Sequence, residues 1–402
     1  MIDNMTADLK LTSGTTELSS SQGVRRQPLG GASHVYERRF TEVLTRRYNV
    51  LIAFFTRSER FGSNEKFPWT EARLFPIRDF PIPRWVPHLL TLPLETAIRT
   101  FRVALIVRML RPDLLYGNWL THGSGLYCAL AHFHPFLVNA WGSDLQIEAK
   151  NSRVLRRFAK LTIRKADAVI IDSEVQRRDL LELGCDPLRI CCFPWGIDLE
   201  RFRPQDSTAL RSELGWFDKK IVLSTRRHVE RCGVEYLIRA VPQILKRDAN
   251  ARFLIVGDGP LLDYHKSLAR RLGVEEEVRF LDWVPNDRLP KILSAADVYV
   301  STSFSDGTSA SLLEAMACGL TPVVTKIPGN EEWVSEGENG HLVPPGDSEE
   351  LARGILTVLL DDELRSRMGR ANLIITKERA DWNLNAMVLQ RCVSDLMASY
   401  KT

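Results

Sequence analysis

The sequence predicts an α/β protein built from two doubly wound, parallel-sheet domains. Three observations lead there. A chain of 402 residues is long for a single hydrophobic core. From residue 220 onward, short apolar runs rich in β-branched residues alternate with helical patterns, the order that makes a parallel sheet. One stretch, residues 296–324, passes from strand through a polar loop to a helix and on to another strand.

In that stretch Ala296-Asp297-Val298-Tyr299-Val300 reads as a buried strand and Pro322-Val323-Val324 as the next. The loop between them carries Asp306, Gly307, Thr308 and Ser309, and Thr308 or Ser309 is placed to cap the helix. Leu312 and Met316 recur at helical spacing, and Gly319 is placed to stop the helix. The first amides of a helix are unpaired and its dipole is positive there, so this end attracts phosphate. Asp306 lies on the loop and Glu314 roughly one and a half turns into the helix. An anion cradle with acids around it suits a ligand that carries phosphates and hydroxyls together, as a nucleotide sugar does. The helix alone would also fit an ordinary capped crossover with solvated acids.

The whole pattern resembles the donor-binding signature of the family-4 retaining glycosyltransferases, the glycosyl transferases group 1. That signature is an acid, seven residues, then Glu-Ala-Met-Ala-x-Gly, here from Asp306 to Gly319. The resemblance implies the GT-B fold, two Rossmann-like domains facing across a cleft. It implies that Asp306 holds donor-sugar hydroxyls and Glu314 the ribose. Many members have Glu at the first position; Asp306 is one methylene shorter. The family also commonly presents Arg, four residues, then Lys-Gly, whose two cations grip the diphosphate. Counting back from Gly233 puts Arg227 at the Arg position and Cys232 at the Lys position. A neutral thiol cannot replace an ammonium, so Arg227 is expected to carry more of the diphosphate binding.

Composition narrows the rest. The seven cysteines show no metal-ligand spacing, which suggests a reducing, cytoplasmic setting. The first residues have neither the basic nor the apolar part of a signal peptide. No apolar run reaches the ~18 residues of a spanning helix. Net charge is +4; residues 1–200 carry 27 Lys and Arg against 21 Asp and Glu, or +6, which leaves −2 for the remainder. A basic half can face an anionic surface, although paired arginines are usually just solvated. No zinc-finger spacing or basic-region heptad appears, so nucleic acid is not an expected partner.

Taken in order, residues 1–29 are polar, with a weak strand at 9–12, and read as partly disordered. Gly30-Gly31 opens a helical pattern through Val35, Phe40, Val43 and Leu44, and a strand follows at 50–54. By resemblance, Gly31 sits in the loop that touches the donor phosphates. Residues 85–111 interleave apolar residues with Arg99, Arg102, Arg108 and Arg111. The plain reading is an amphipathic helix packed on the sheet; the second is a helix lying on an anionic membrane. A strand at 113–116 leads to a loop with Trp119, His122 and Gly123. The next strand, 136–140, ends in Trp141-Gly142-Ser143-Asp144. The family often has His where Trp141 stands, which leaves Asp144 as the polar candidate on the acceptor side. Residues 166–171 read as a strand and 174–184 as a helix.

Residues 193–204 resemble the family's interdomain segment. The expected domains are therefore 1–197 on the acceptor side and 205–385 on the donor side. Residues 198–204 link them, and a terminal helix from 386 to 402 crosses back. In the second half, Gly257-Asp258-Gly259-Pro260 lacks the third glycine of a dinucleotide fingerprint, because Leu262 stands there. Asp282-Trp283-Val284-Pro285 resembles the loop whose backbone reads the nucleotide base, which places Val284 at the donor.

The expected activity is retaining transfer of a sugar from a nucleoside-diphosphate sugar to a hydroxyl acceptor, which can be lipid-linked. Arg227 and the amides of Gly307, Thr308 and Ser309 would stabilise charge on the leaving diphosphate. Asp306 would orient the sugar. No cofactor or metal is expected, and the location is cytoplasmic or peripheral on the inner membrane face. Two rivals share the architecture: a nucleotide-sugar epimerase, and a catalytically silent binding subunit of a glycosylation complex.

Overall fold

The computed structural model describes residues 51–56, 73–78 and 88–400, with side-chain surroundings from Leu94 onward. The expected strand at 9–12, the turn with Gly31 and the helix at 35–44 lie outside the described residues. The chain divides into two compact units after Phe193. Pro194–Asn385 is one; the other combines the earlier residues with those from Ala386 onward.

In the first unit β1 (Leu51–Thr56) pairs in parallel with β2 (Arg73–Arg78). β3 (Leu115–Asn118), β4 (Phe136–Asn139), β5 (Ala168–Ile171) and β6 (Ile190–Cys192) form a four-stranded parallel sheet in chain order. Phe136, Val138, Val169 and Ile171 build its core with Val103, Ile106 and Val107 of the helix His88–Leu110. That helix buries one face and exposes another that is also apolar: Leu94, Phe101, Leu105 and Met109 all face solvent. The end of the last helix, Trp382–Ser399, belongs to this unit. The Tyr400 hydroxyl just beyond it donates to Asp167 Oδ1 at 2.6 Å. Cys392 is joined by a disulfide to Cys191, 201 residues earlier. Composition suggested only free thiols, because nothing in the spacing brings these two together.

The second unit holds a six-stranded parallel sheet: β7 (Lys220–Ser224), β8 (Ala251–Val256), β9 (Val278–Leu281), β10 (Val298–Ser301), β11 (Thr321–Thr325) and β12 (His341–Val343). Alternation along the strands splits its core. Val222, Phe253, Ile255, Val298 and Val300 pack under the helices Val234–Leu245, Leu262–Arg271 and Ser348–Leu360. Ile221, Leu223, Leu254, Tyr299 and Val324 pack under Leu289–Ser294 and Ala310–Ala317 on the opposite face. Both faces are covered, so the strands read as continuous apolar runs.

The strand order is β12-β11-β10-β7-β8-β9. The chain winds one way from β7 and the other way from β10, and the reversal leaves a crevice at the C-terminal ends of those two strands. The elements that sequence reading passed over have local reasons. The helix Gly123–Leu130 is almost wholly buried and shows no amphipathic period. β2 contains Pro76, which reads as a breaker but is tolerated in a two-stranded edge. β6 and β12 are three residues each.

Candidate functional site

At the crevice, the loop after β7 meets the loop after β10. β7 delivers Arg226 and Arg227; β10 delivers residues 302–309 and the helix Ala310–Ala317. Arg226 reaches across. Its Nη2 donates to Asp306 Oδ2 at 2.6 Å, and its Nη1 donates to the Ser309 and Ser311 hydroxyls at 3.0 Å each. The guanidinium is only 11% exposed and the Asp306 side chain 18%. Burial alone would lower the arginine's pKa; the Asp306 carboxylate, with the Cys232 and Tyr299 side chains beside it, more than reverses that, so its charge is locked on. The Tyr299 hydroxyl donates to Ser311 at 3.0 Å and ties the network to β10.

Ser309 occupies the N-cap position, but its hydroxyl faces Arg226 and makes no capping bond to the helix. The helix start is thus aimed by a buried cation rather than closed by its own cap. Close backbone packing fixes the loop. A Cβ on Gly329 would fall 2.4 Å from the carbonyl oxygens of Asp306 and Gly307. One on Gly233 would fall 2.4 Å from the Thr302 carbonyl, and Gly233 has φ +58°. The Phe304 amide donates to the Arg231 carbonyl at 2.9 Å, and the Thr302 hydroxyl to the Cys232 carbonyl at 2.9 Å.

Arg227 points elsewhere. Its side chain is 54% exposed, and its Nε donates to Asp258 Oδ1 at 3.3 Å. Glu314 is half-buried in the second turn of the helix. Val284 is half-buried beyond β9, against the core on the Ala310–Ala317 side of the sheet. The structure therefore gathers Asp306, Gly307, Thr308, Ser309 and Glu314 on one loop and helix, with Arg227 on the neighbouring loop. Gly31 lies outside the described residues. Arg226 is the member that motif counting passed over; its signal was a second arginine at the end of a buried strand.

Below Arg227, His228 Nδ1 lies 2.6 Å from His265 Nδ1, and both rings are buried. The His228 amide donates to the Asp258 carbonyl at 2.8 Å, so this pair underlies the loop that carries Arg227.

In the first unit, Asp144 is fully buried. Oδ2 accepts from the Leu120 amide at 3.0 Å, and Oδ1 from the amides of Trp141 and Leu145 at 3.1 Å each. Burial raises its pKa to about 6 despite those three bonds. Asp144 clamps the loops after β3 and β4 together and does not meet solvent. The polar group that does stand at those loops is Glu148. It accepts from Trp119 Nε1 at 3.0 Å and from the Thr121 hydroxyl, and it lies 3.3 Å from His122 Nε2. Trp119 has φ +74°, a conformation an aromatic residue adopts only under constraint. Asp144–Glu148 forms a π-helical turn that brings Glu148 there. Sequence periodicity gives no sign of that turn.

Comparison with known proteins follows the same division. The family model for glycosyl transferases group 1 matches residues 206–373, and the model for a glycosyl transferase 4-like domain matches residues 24–196. An uncharacterized glycosyltransferase of Methanocaldococcus jannaschii is 29% identical over 286 residues, 68% of this chain and 73% of that one. The D-inositol 3-phosphate glycosyltransferase of Corynebacterium glutamicum is 30% identical over 67% of this chain and 66% of its own length. The GDP-mannose-dependent alpha-(1-6)-phosphatidylinositol monomannoside mannosyltransferase of Mycolicibacterium smegmatis is 30% identical over 50% of this chain, and the match spans about half of that relative, 55%. Among solved structures, Anabaena HepE in complex with UDP superposes with a TM-score of 0.73 at 22% identity, covering 91% of this chain and 96% of that one. Sucrose-phosphate synthase from Thermosynechococcus elongatus gives 0.77 at 22%, covering 92% and 94%. These likenesses show a GT-B fold.

The histidine pair sets a pH dependence. Burial, then the neighbouring His265, lowers the His228 pKa from 6.5 to about 4, and burial lowers that of His265 as well. The fold keeps both rings neutral, while the unfolded chain takes up protons as pH falls below ~6.5. Stability from this pair is therefore present above ~6.5 and lost as pH falls towards about 4. Asp144 acts with the opposite sign, since its raised pKa favours the fold as pH falls through about 6. Urea unfolding of wild type and His228→Asn at pH 7 and pH 4.5 separates them: the variant should lose less stability on acidification. An equal loss in both proteins would place the acid sensitivity elsewhere.

Proposed function

Because the chain belongs to the glycosyl transferases group 1 and has the GT-B fold, we propose that it is a retaining glycosyltransferase moving a sugar from a nucleoside diphosphate to a hydroxyl acceptor. One observation carries the donor side: at the switch point of a parallel sheet, Arg226 holds Asp306 and the start of an open helix in a single buried network. The barrier is cleavage of the anomeric C–O bond while charge builds on the leaving diphosphate. Arg227, half in solvent, and the amides of Gly307, Thr308 and Ser309 are assigned to that charge. Asp306 is assigned to donor-sugar hydroxyls and Glu314 to the ribose. Val284 and its neighbours are assigned to the base, and Gly31 to the donor phosphates. The leaving phosphate takes the acceptor proton, and the reading calls for neither a metal ion nor a covalent nucleophile.

The solved structure of HepE with UDP-glucose supports a uridine donor; the GDP-mannose-dependent relative supports a guanosine one. The relative that acts on D-inositol 3-phosphate supports a hydroxyl-rich acceptor. A thermal-shift panel of UDP-, GDP- and ADP-sugars chooses among the bases, because ligand binding raises the unfolding midpoint. Transfer assays on the donor found would reject the silent-subunit reading, and acceptor dependence would reject the epimerase.

We also propose that the acceptor is lipid-linked and that the protein works peripherally on the cytoplasmic membrane face. Support comes from the helix His88–Leu110. Phe101 and Met109 are 69% and 68% exposed, and Leu94 and Leu105 lie on the same stripe. Arg108 and Arg111 stand exposed at its C-terminal end. Among the described residues, no helix is long and apolar enough to cross a membrane. The five free cysteines suit a reducing compartment, with Cys191–Cys392 as the exception.

Two results are expected. Glu314→Ala and Arg227→Ala should each lose about 2–4 kcal/mol of transition-state stabilisation, read from kcat/KM in folded protein. Near-wild-type turnover in either would remove that residue from the donor site. The protein should also co-sediment with anionic vesicles at low salt and release as salt rises, and Phe101→Glu with Met109→Glu should abolish the binding. Equal sedimentation of wild type and variant would remove the helix from the membrane.

A further inference from the structure

The donor loop contains a cation that the family pattern does not call for, next to the one the pattern calls for and this chain lacks. Cys232 ends the short turn Glu230–Cys232 and is 3% exposed. Its Sγ lies 3.9 Å from Nη2 of Arg226, the same nitrogen that binds Asp306. The thiol is small and neutral, so the guanidinium can sit against it. A lysine at 232 would bring an ammonium into that space, and two buried cations at such a distance repel.

Asp306 and Glu314 are anionic, and the ligand class in question, a nucleoside-diphosphate sugar, brings more negative charge. With Arg226 in place, Asp306 is neutralised and keeps one oxygen, Oδ2, on the arginine. Without it, an unpaired carboxylate would stand beside the diphosphate, and Ser309 at the helix start would lose its anchor.

We propose that Arg226 and Cys232 form one functional unit, in which Arg226 fixes Asp306 for the donor sugar and supplies the positive charge that a lysine at 232 would otherwise supply. Arg226 is then a positioning residue acting through Asp306 and Ser309, distinct from Arg227 on the exposed side of the loop. This inference rests on the glycosyltransferase reading above.

The test is relocation of the charge in the full-length chain. UDP and GDP binding is measured by calorimetry, and turnover is measured on the donor found in the panel. Arg226→Gln should weaken nucleoside-diphosphate binding at least tenfold and slow turnover at saturating donor about a hundredfold. Cys232→Lys alone should be impaired as well, because it crowds Arg226. The double variant Arg226→Ala/Cys232→Lys should recover at least tenfold over Arg226→Ala. A purely structural arginine would show no such rescue, because the lysine cannot rebuild its bonds to Ser309 and Ser311. If Arg226→Gln fails to fold, Arg226→Lys and the double variant carry the test. A double variant no better than Arg226→Ala overturns the proposal, as does wild-type binding and turnover in Arg226→Gln. A wild-type protein that binds neither nucleotide and transfers no sugar overturns the glycosyltransferase reading itself.

Discussion

A guanidinium buried against a carboxylate is stable only while both groups keep their hydrogen bonds, and the donor-side loop is arranged around that demand. Arg226 gives one nitrogen to Asp306 and the other to Ser309 and Ser311. Removing one partner of such a pair typically costs about 3–5 kcal/mol, because the remaining charge has nowhere to go. The pair therefore constrains the loop after β7, the loop after β10 and the start of the helix Ala310–Ala317 as one object. Gly233 and Gly329 follow from the same constraint, since a side chain at either would push backbone carbonyls of the β10 loop away.

The sheet decides where this object stands. Six parallel strands with apolar residues on both faces leave polar chemistry only at strand ends. Winding reverses between β7 and β10, so the loops that follow them face each other across the crevice with no helix between. The buried His228–His265 contact lies beneath the loop after β7, in a place where neutral rings can pack but charged ones cannot.

The first unit solves a similar problem with a different group. Asp144 takes three backbone amides and holds the loops after β3 and β4 from inside. With that clamp in place, Glu148 can collect Trp119, Thr121 and His122, and Trp119 can be held at a positive φ. Backbone strain of that kind persists only where the surroundings over-determine it.

The sequence by itself determined the α/β class, the alternation of strand and helix from residue 220 onward, and the donor-loop motif from Asp306 to Gly319. These are local signals: β-branched runs, helical spacing and a glycine stop are properties of neighbours in the chain. Only the tertiary structure decided which of two adjacent arginines is buried. Arg226 and Asp306 are 80 residues apart, and their contact depends on strand order, which no local pattern encodes. The same holds for Cys191 with Cys392, and for Glu148 with Trp119. Asp144 shows the limit most plainly. The sequence placed an acid at the end of a strand, where ligand groups belong, but whether it faces a ligand or its own backbone was settled by the amide of Leu120, 24 residues away in the chain, that the fold brought to it.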